Sequence, residues 1–278
     1  MNLSLRNQIE QDIQETITEV DVGGRIKTDS GNTYFLKQGK ASQTYQCEVN
    51  GLRELAKTHT IQVAQPVSYG KNYILTQFIE QHQPKDDFFE VLGKQLAQMH
   101  RHTQDSYGFY EDNFIGDNPQ KNIPTPSEAN NWAEFYYNKR LLYQYKLAQQ
   151  NNLLSPTLIR GFKNLEKQIE SILKDSIEPP TLIHGDLWAG NFLCTKNNSP
   201  ILIDPAVYYG HREAELAMTK LFGGFSAAFY QSYQTEYPLR EGWKYREGIY
   251  TLYHVLNHLN LFGRSYLSEA EYLISQYL

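Results

Sequence analysis

Asp186, Asn191 and Asp204 are the residues of this sequence whose types and spacing could do chemistry together. The first two lie in Leu182-Ile183-His184-Gly185-Asp186-Leu187-Trp188-Ala189-Gly190-Asn191, and the third ends the run Ile201-Leu202-Ile203-Asp204 before Pro205. Leu182-Ile183 and Ile201-Ile203 are short apolar runs that predict strands, with the polar residues falling just past their ends. Asn197-Asn198-Ser199-Pro200 predicts a turn between those strands that brings the polar ends together. The plain reading is a hairpin with a polar turn. The chemical reading is transfer of a phosphoryl group from Mg-ATP to a hydroxyl, which needs a carboxylate to orient and deprotonate that hydroxyl and oxygen ligands for the magnesium. Asp186 is then the expected base, with Asn191 and Asp204 as the expected magnesium ligands.

These side chains need elements to hold them and a partner region to hold the nucleotide. An Asp followed five residues later by an Asn, with a further Asp on a nearby loop, is the arrangement protein kinases use. Such a site also uses a Lys on a strand paired with a Glu on the next helix. Thr33-Tyr34-Phe35-Leu36 predicts a strand running into Lys37, and Glu48 falls in a predicted helix whose apolar positions include Val49, Leu52 and Leu55. A charged residue ending an alternating strand is otherwise a solvated edge. Upstream, residues 18–37 predict two or three strands, broken by Gly23-Gly24 and turned by Asp29-Ser30-Gly31-Asn32. Gly23 and Gly24 are candidate phosphate-approaching residues, and equally a simple turn. Tyr73 to Ile79 predicts an apolar strand ending in a polar stretch, Glu80 to Asp87, that reads as a hinge. Main-chain groups of Gln77, Phe78 and Ile79 are the expected adenine contacts.

The rest of the chain predicts helices. Leu5, Ile9, Ile13 and Ile17 recur every four residues and predict an amphipathic opening helix. Further helices are expected at 88–102, 131–150, 156–177, 213–222, 225–235, 243–262 and 268–277. Residues 107–130 are rich in Gly, Pro and Asn yet carry Tyr107, Phe109, Tyr110 and Phe114, which predicts an ordered binding loop. The sum is an α+β fold of two lobes: residues 1–80 small, β-rich and nucleotide-binding, residues 81–278 larger, mostly helical and catalytic.

Composition excludes several other classes. A net charge of −5 over 278 residues gives no electrostatic reason to expect nucleic acid. No apolar run approaches the roughly 18 residues that span a bilayer, so no membrane partner is expected. Cys47 and Cys194 have neither metal-ligand nor CxxC spacing and suit a reducing compartment. Met1 to Arg6 lacks a basic region followed by an apolar core, which predicts no secretory leader and a cytoplasmic protein.

At this level of detail the chain resembles the fructosamine/ketosamine-3-kinase family, relatives of aminoglycoside and choline kinases within the protein-kinase-like fold. His184-Gly185-Asp186-Leu187-Trp188-Ala189-Gly190-Asn191 is similar to the family's HGDLWxGN. Asp204-Pro205-Ala206 with Tyr209-Gly210-His211-Arg212-Glu213-Ala214-Glu215-Leu216-Ala217 is similar to DPA…YGHxExELA. Phe222-Gly223-Gly224-Phe225 and Leu256-Asn257-His258-Leu259-Asn260-Leu261-Phe262-Gly263 resemble FGGF and LNHxNxFG. Phe109 to Gly116 with Pro119 to Asn122, and Tyr34-Phe35-Leu36-Lys37 with Glu48, complete the match. One departure is the quick passage from Gly24 to the Asp29–Asn32 turn, where many members have a longer Gly-rich segment.

The resemblance implies ATP-dependent phosphorylation of the sugar O3 of ketosamines, free or on protein lysines, with ribulosamines and erythrulosamines ahead of fructosamines. The phosphorylated product breaks down and releases the amine, so the implied role is protein deglycation. Trp188 could lay its ring against the sugar, and His258 and Asn257 could line its pocket; core packing is the alternative for each. Glu213 and Glu215 fall where a cationic amine could be met, although an acidic helix start explains Glu213 as well. A choline- or aminoglycoside-type kinase and a non-catalytic module that binds glycated protein are the alternative functions.

Overall fold

The computed structural model describes residues 1–40 and 42–277, so the final residue of the expected second lobe lies outside the described residues. Helix α1 (Leu3–Ile13) starts where the Asn2 side chain accepts from the Leu5 backbone N–H at 2.9 Å, and it stops at Gln14 in the left-handed region. Ile17, expected as the helix's fourth apolar position, instead opens strand β1 (Ile17–Val20). Strands β2 (Arg25–Thr28) and β3 (Thr33–Gln38) follow, then α2 (Thr44–Ala56), β4 (Gln62–Val63), β5 (Pro66–Gly70) and β6 (Tyr73–Gln77). Five of these strands form an antiparallel sheet in the order β1-β2-β3-β6-β5.

The two faces of this sheet separate by the strand period of two. Leu36 and Leu75 are paired and join Leu5, Ile9, Ile17, Ile26 and Tyr73 in a small core under α1. The next pair, Lys37 and Ile74, turns to the opposite face, towards α2. There Val49, Leu52 and Leu55 of α2 pack with Ile74 into the large core of the rest of the chain. That alternation aims Lys37 at Glu48 rather than at solvent.

The remainder begins with α3 (Phe88–Met99), on which Phe88, Leu92, Leu96 and Met99 are all fully buried. The expected irregular loop over 107–130 contains a hairpin, β7 (Asn113–Ile115) with β8 (Asn118–Gln120). Helix α4 (Trp132–Tyr136) passes through one π turn, Tyr137–Leu141, into α5 (Leu142–Gln150). That turn buries Arg140 with its guanidinium 3.8 Å from the Tyr208 ring centroid and bonded to Asn122 Oδ1 at 2.7 Å. Helix α6 (Pro156–Leu173), capped by Ser155, leads into β9 (Thr181–Ile183).

The two-strand expectation for the chemical stretch is corrected here. Strand β9 does not pair with the strand before Asp204. An intervening strand, β10 (Phe192–Cys194), makes the hairpin with β11 (Pro200–Leu202), and β9 pairs instead with β12 (Tyr208–Gly210). Strand β11 also pairs in parallel with β4, stitching the two halves of the chain together. Helices α7 (Arg212–Met218), α8 (Ala227–Glu236), α9 (Trp243–Phe262) and α10 (Leu267–Ser275) complete the fold. The small sheet-rich part and the larger helical part make a protein-kinase-like α+β architecture. Among the described residues no helix is long and apolar enough to cross a membrane.

Candidate active site

The loops after β9 and β11 meet because short-range bonds hold them together. His184 donates from Nε2 to the Ile203 carbonyl at 2.8 Å, and its Nδ1 accepts from the Asp186 N–H at 3.3 Å. Those roles require the neutral ring, which burial enforces by pushing the imidazole below its ordinary range. The Ala206 N–H donates to the His184 carbonyl and the Ile203 N–H to the Asn191 carbonyl. Gly185 has φ +84°, and a Cβ there would stand 2.1 Å from the Ala206 carbonyl oxygen. Only glycine permits this approach of the two loops. Asp204 itself holds φ +56°, a left-handed conformation Asp tolerates better than most residues.

This crossing assembles the chemical groups. Asn191 Nδ2 donates to the Asp186 carbonyl at 2.7 Å and to Asp186 Oδ2 at 3.1 Å. Burial, the largest influence, pushes the Asp186 carboxyl up to about 8; the Asn191 amide opposes this, and the charges of Glu215 and Asp204 add to it. Lys37 Nζ reaches Glu48 Oε1 at 2.6 Å and also bonds Asp204 Oδ1. Burial alone would lower the Lys37 pKa, but the Glu48 and Asp204 carboxylates hold it above its ordinary value. Lys37, Glu48, Asp186, Asn191 and Asp204, separated by up to 167 positions in sequence, thus converge.

Two cavities meet at this cluster. One, of about 360 Å³, is walled by Phe35, Ala64, Leu193 and Ile203 and edged by Gln77, Phe78 and Ile79. The other, of about 300 Å³, is lined by Asp186, Asn191 and Trp188 below and by Thr44 and Cys47 of α2 and Asn113 and Phe114 of the hairpin above. Lys37, Glu48 and Asp204 line both. A mostly apolar cavity edged by the Gln77–Ile79 chain suits a purine base, and the second cavity suits a small polar acceptor.

Two oxygen-bearing side chains suit magnesium, which takes one or two protein ligands and completes its shell with phosphate and water. Asn191, its amide nitrogen engaged by Asp186, keeps Oδ1 for such an ion, and Asp204 stands beside it on the same cavity wall. Among the described residues no group of three or more His, Cys, Asp or Glu could hold a metal ion.

Not every expected site residue joins the cluster. Gly23 and Gly24 form a tight turn closed by the Asp21 side chain, which accepts from the Arg25 N–H at 2.8 Å, and they line neither cavity. A Cβ on Gly24 would come within 2.5 Å of the Leu36 carbonyl oxygen, so close packing on β3 accounts for that glycine. Asn257 is buried, accepting from Asn118 Nδ2 at 2.8 Å and Gln144 Nε2 at 3.1 Å. It ties α9 to the hairpin rather than facing a cavity. His258 lies outside the cavity lining, 4.9 Å from Phe222 by ring centroids, while Trp188 is on the cavity rim with 37% of its surface exposed.

The reading of Glu213 and Glu215 as partners of a substrate amine is overturned. Both are buried in α7. Glu213 is held bidentately by Arg246 at 2.6 and 2.8 Å. Glu215 accepts from the backbone N–H groups of His184 at 2.5 Å and Gly185 at 3.0 Å, so it props the loop that carries Asp186. A charged residue inside the otherwise apolar run Ala214 to Met218 was the signal for a buried acceptor role. The hairpin residues Asn113 and Phe114 belong to the 107–130 segment expected as an ordered binding loop, and its folding as a hairpin brings them over the cavity.

Comparisons with known proteins point to one family. A profile of the fructosamine kinase family matches residues 3–278. A probable ketoamine kinase of Synechocystis sp. is 37% identical over 264 residues, covering 92% of this chain and 86% of its own. A chloroplastic protein-ribulosamine 3-kinase of Arabidopsis thaliana is 37% identical over 268 residues, covering 93% and 80%. Among solved structures, a crystal structure assigned to a fructosamine-3-kinase of Thermobifida fusca superposes with a TM-score of 0.90 at 28% identity, covering 98% of both chains.

Proposed function

The chain belongs to the fructosamine kinase family, and from that premise we propose that it transfers the γ-phosphoryl group of ATP to O3 of a ketosamine, a ribulosamine or erythrulosamine before a fructosamine. The observation that carries this reading is the meeting of two cavities at Lys37, Glu48 and Asp204, with Asp186 and Asn191 lining the second. The apolar cavity takes the adenine along Gln77–Ile79, and Lys37, oriented by Glu48, takes the phosphates. Magnesium, held by Asn191 and Asp204, supplies charge neutralisation at the phosphate oxygens when bound. Asp186 orients the O3 hydroxyl and accepts its proton as the O3–phosphorus bond forms and the bond to the β–γ bridging oxygen breaks, releasing ADP. The acceptor cavity is walled by Trp188 and by the hairpin.

The acceptor is a ketose joined to an amine, either free or on a protein lysine. The lobes divide near residue 80, where β6 leaves the sheet for the polar stretch that follows. A cytoplasmic location fits the free, buried Cys47 and Cys194.

The deciding experiment is ADP release with ATP and magnesium on ribulosyl-lysine, fructosyl-lysine, choline and an aminoglycoside. Turnover confined to the two ketosamines, higher on ribulosyl-lysine, is expected. Turnover on choline or the aminoglycoside alone would replace the acceptor, and none on any of the four would leave a binding module.

A further inference from the structure

Five aromatic rings continue outward from the acceptor cavity. Trp188 lies on its rim, with one face seated on Gly190, where a Cβ would come within 2.4 Å of the indole ring. Phe222 meets Trp188 edge-on at 5.9 Å, His258 follows Phe222 at 4.9 Å, and Phe262 and Tyr266 lie 5.5 and 5.2 Å from His258. Three of the rings are exposed, 37% at Trp188, 48% at Phe222 and 63% at Phe262, while His258 and Tyr266 are half-buried between and beside them. Apolar rings lining a path from a reaction cavity to solvent are unusual unless something covers them. The hairpin flanks the same path, because Gly116 at its tip sits against Leu261, the neighbour of Phe262.

The chemistry of the acceptor states what lies there. In a ketosamine the sugar carbon next to the carbonyl bears a secondary amine, protonated at neutral pH, and the carrier's carbon chain continues from that nitrogen. A cavity of about 300 Å³ holds the sugar but not the carrier, so the carrier must leave over the rim. Aromatic faces attract alkylammonium groups and cover methylene chains. His258 adds one polar contact. Its Nδ1 lies 2.8 Å from the His254 carbonyl, an acceptor, so Nδ1 carries the proton and Nε2 of the neutral ring stays an acceptor for an ammonium N–H.

We propose that Trp188, Phe222, His258 and Phe262 form a carrier subsite that seats the ammonium and methylene chain of a ketose-bearing lysine side chain, making a polypeptide lysine the favoured carrier. This rests on the proposed ketosamine reading. Trp188 and His258 take the ammonium, and Phe222 and Phe262, the two most exposed rings of the run, lie where only the methylene chain of a chain-borne substrate reaches.

The test compares two acceptors that share a sugar and differ in carrier: ribulosyl-methylamine, and ribulosyl-lysine within a blocked peptide. Wild type and the Phe222→Ala and Phe262→Ala variants are assayed with saturating Mg-ATP. Tyr245→Ala serves as the control, an exposed aromatic about 25 Å away along the same helix. The expected result is a lower wild-type KM for the peptide than for the methylamine adduct. Each ladder variant raises the peptide KM about three- to tenfold relative to the methylamine KM, with kcat held within about twofold. Tyr245→Ala changes neither ratio. Equal wild-type KM values, or variants that shift both acceptors alike, overturn the carrier subsite while leaving the kinase reading intact. Wild type inactive on both adducts overturns the ketosamine reading, and the subsite with it.

Discussion

At the scale of single residues, the proposed role of Asp186 as base depends on the state of its carboxyl. It is hemmed in by protein and by the charges of Glu215 and Asp204, so the ligand-free molecule keeps it protonated up to about pH 8. A neutral carboxyl at that position makes Asn a close substitute for folding and a poor one for catalysis. Asp186→Asn is expected to lower kcat by about 10²-fold or more while leaving the melting temperature equal or higher. Steady-state ADP release and a thermal melt on the same preparation check both halves. Near-normal turnover would remove Asp186 from the role of base.

At the scale of elements, the decisive feature is the contact between the loop after β9 and the segment following Asp204. Gly185 allows it, and Glu215 and His184 bond it in place. Gly185→Ala places a methyl group against the Ala206 carbonyl in addition to straining a positive φ, so a loss of about 2 kcal/mol or more is expected. Gly31→Ala separates the two causes, because Gly31 has φ +87° with nothing within 4 Å of its would-be Cβ. Chemical denaturation of both variants should show the larger loss at Gly185, with a fall in kcat only there. Equal losses would mean that backbone conformation alone, and not the loop contact, is what glycine serves. The hairpin belongs to this scale too: Gln120 donates to the Ala206 carbonyl at 2.9 Å and Asn113 to the Val207 carbonyl at 2.8 Å. The wall over the acceptor is thereby anchored to the same segment as its floor.

At the scale of the whole molecule, burial of ionisable groups couples stability to pH. His100, His184, His211 and His254 are buried, and burial lowers the pKa of each, His254 down to about 3. The unfolded chain protonates these rings below about pH 6.5 and the folded one does not. Their contribution to stability is therefore present above pH 6.5 and lost as pH falls. Asp186 has the opposite sign, since the folded molecule retains a proton there between about 4 and 8 that the unfolded chain releases. Burial raises the Glu48 carboxyl too, with the same sign as Asp186; four groups outweigh two, so the ligand-free melting temperature should drop between pH 6.5 and 5. Each linked proton is worth about 1.4 kcal/mol per pH unit. A melting temperature that holds or rises over that interval would refute the neutral, buried state of these histidines.

What the sequence by itself determined was the set of candidate chemical residues and its supporting periodicities. Asp186, Asn191 and Asp204 stand at a telling spacing, and Lys37 and Glu48 sit on a strand and a helix whose apolar residues point to the core side. Those features are local, so spacing and alternation reveal them. The helices at 88–99, 156–173 and 243–262 were legible for the same reason. Only the tertiary structure decided that β10 intervenes between the two expected strands, that Glu215 faces the catalytic loop rather than a substrate, and that Asn257 is committed to Asn118 and Gln144. It likewise decided that a segment reading as an irregular loop folds over the acceptor cavity as a hairpin. Each of these depends on contacts between residues far apart in the chain, and a buried carboxylate or amide has the same letter whether it meets a ligand or a backbone N–H.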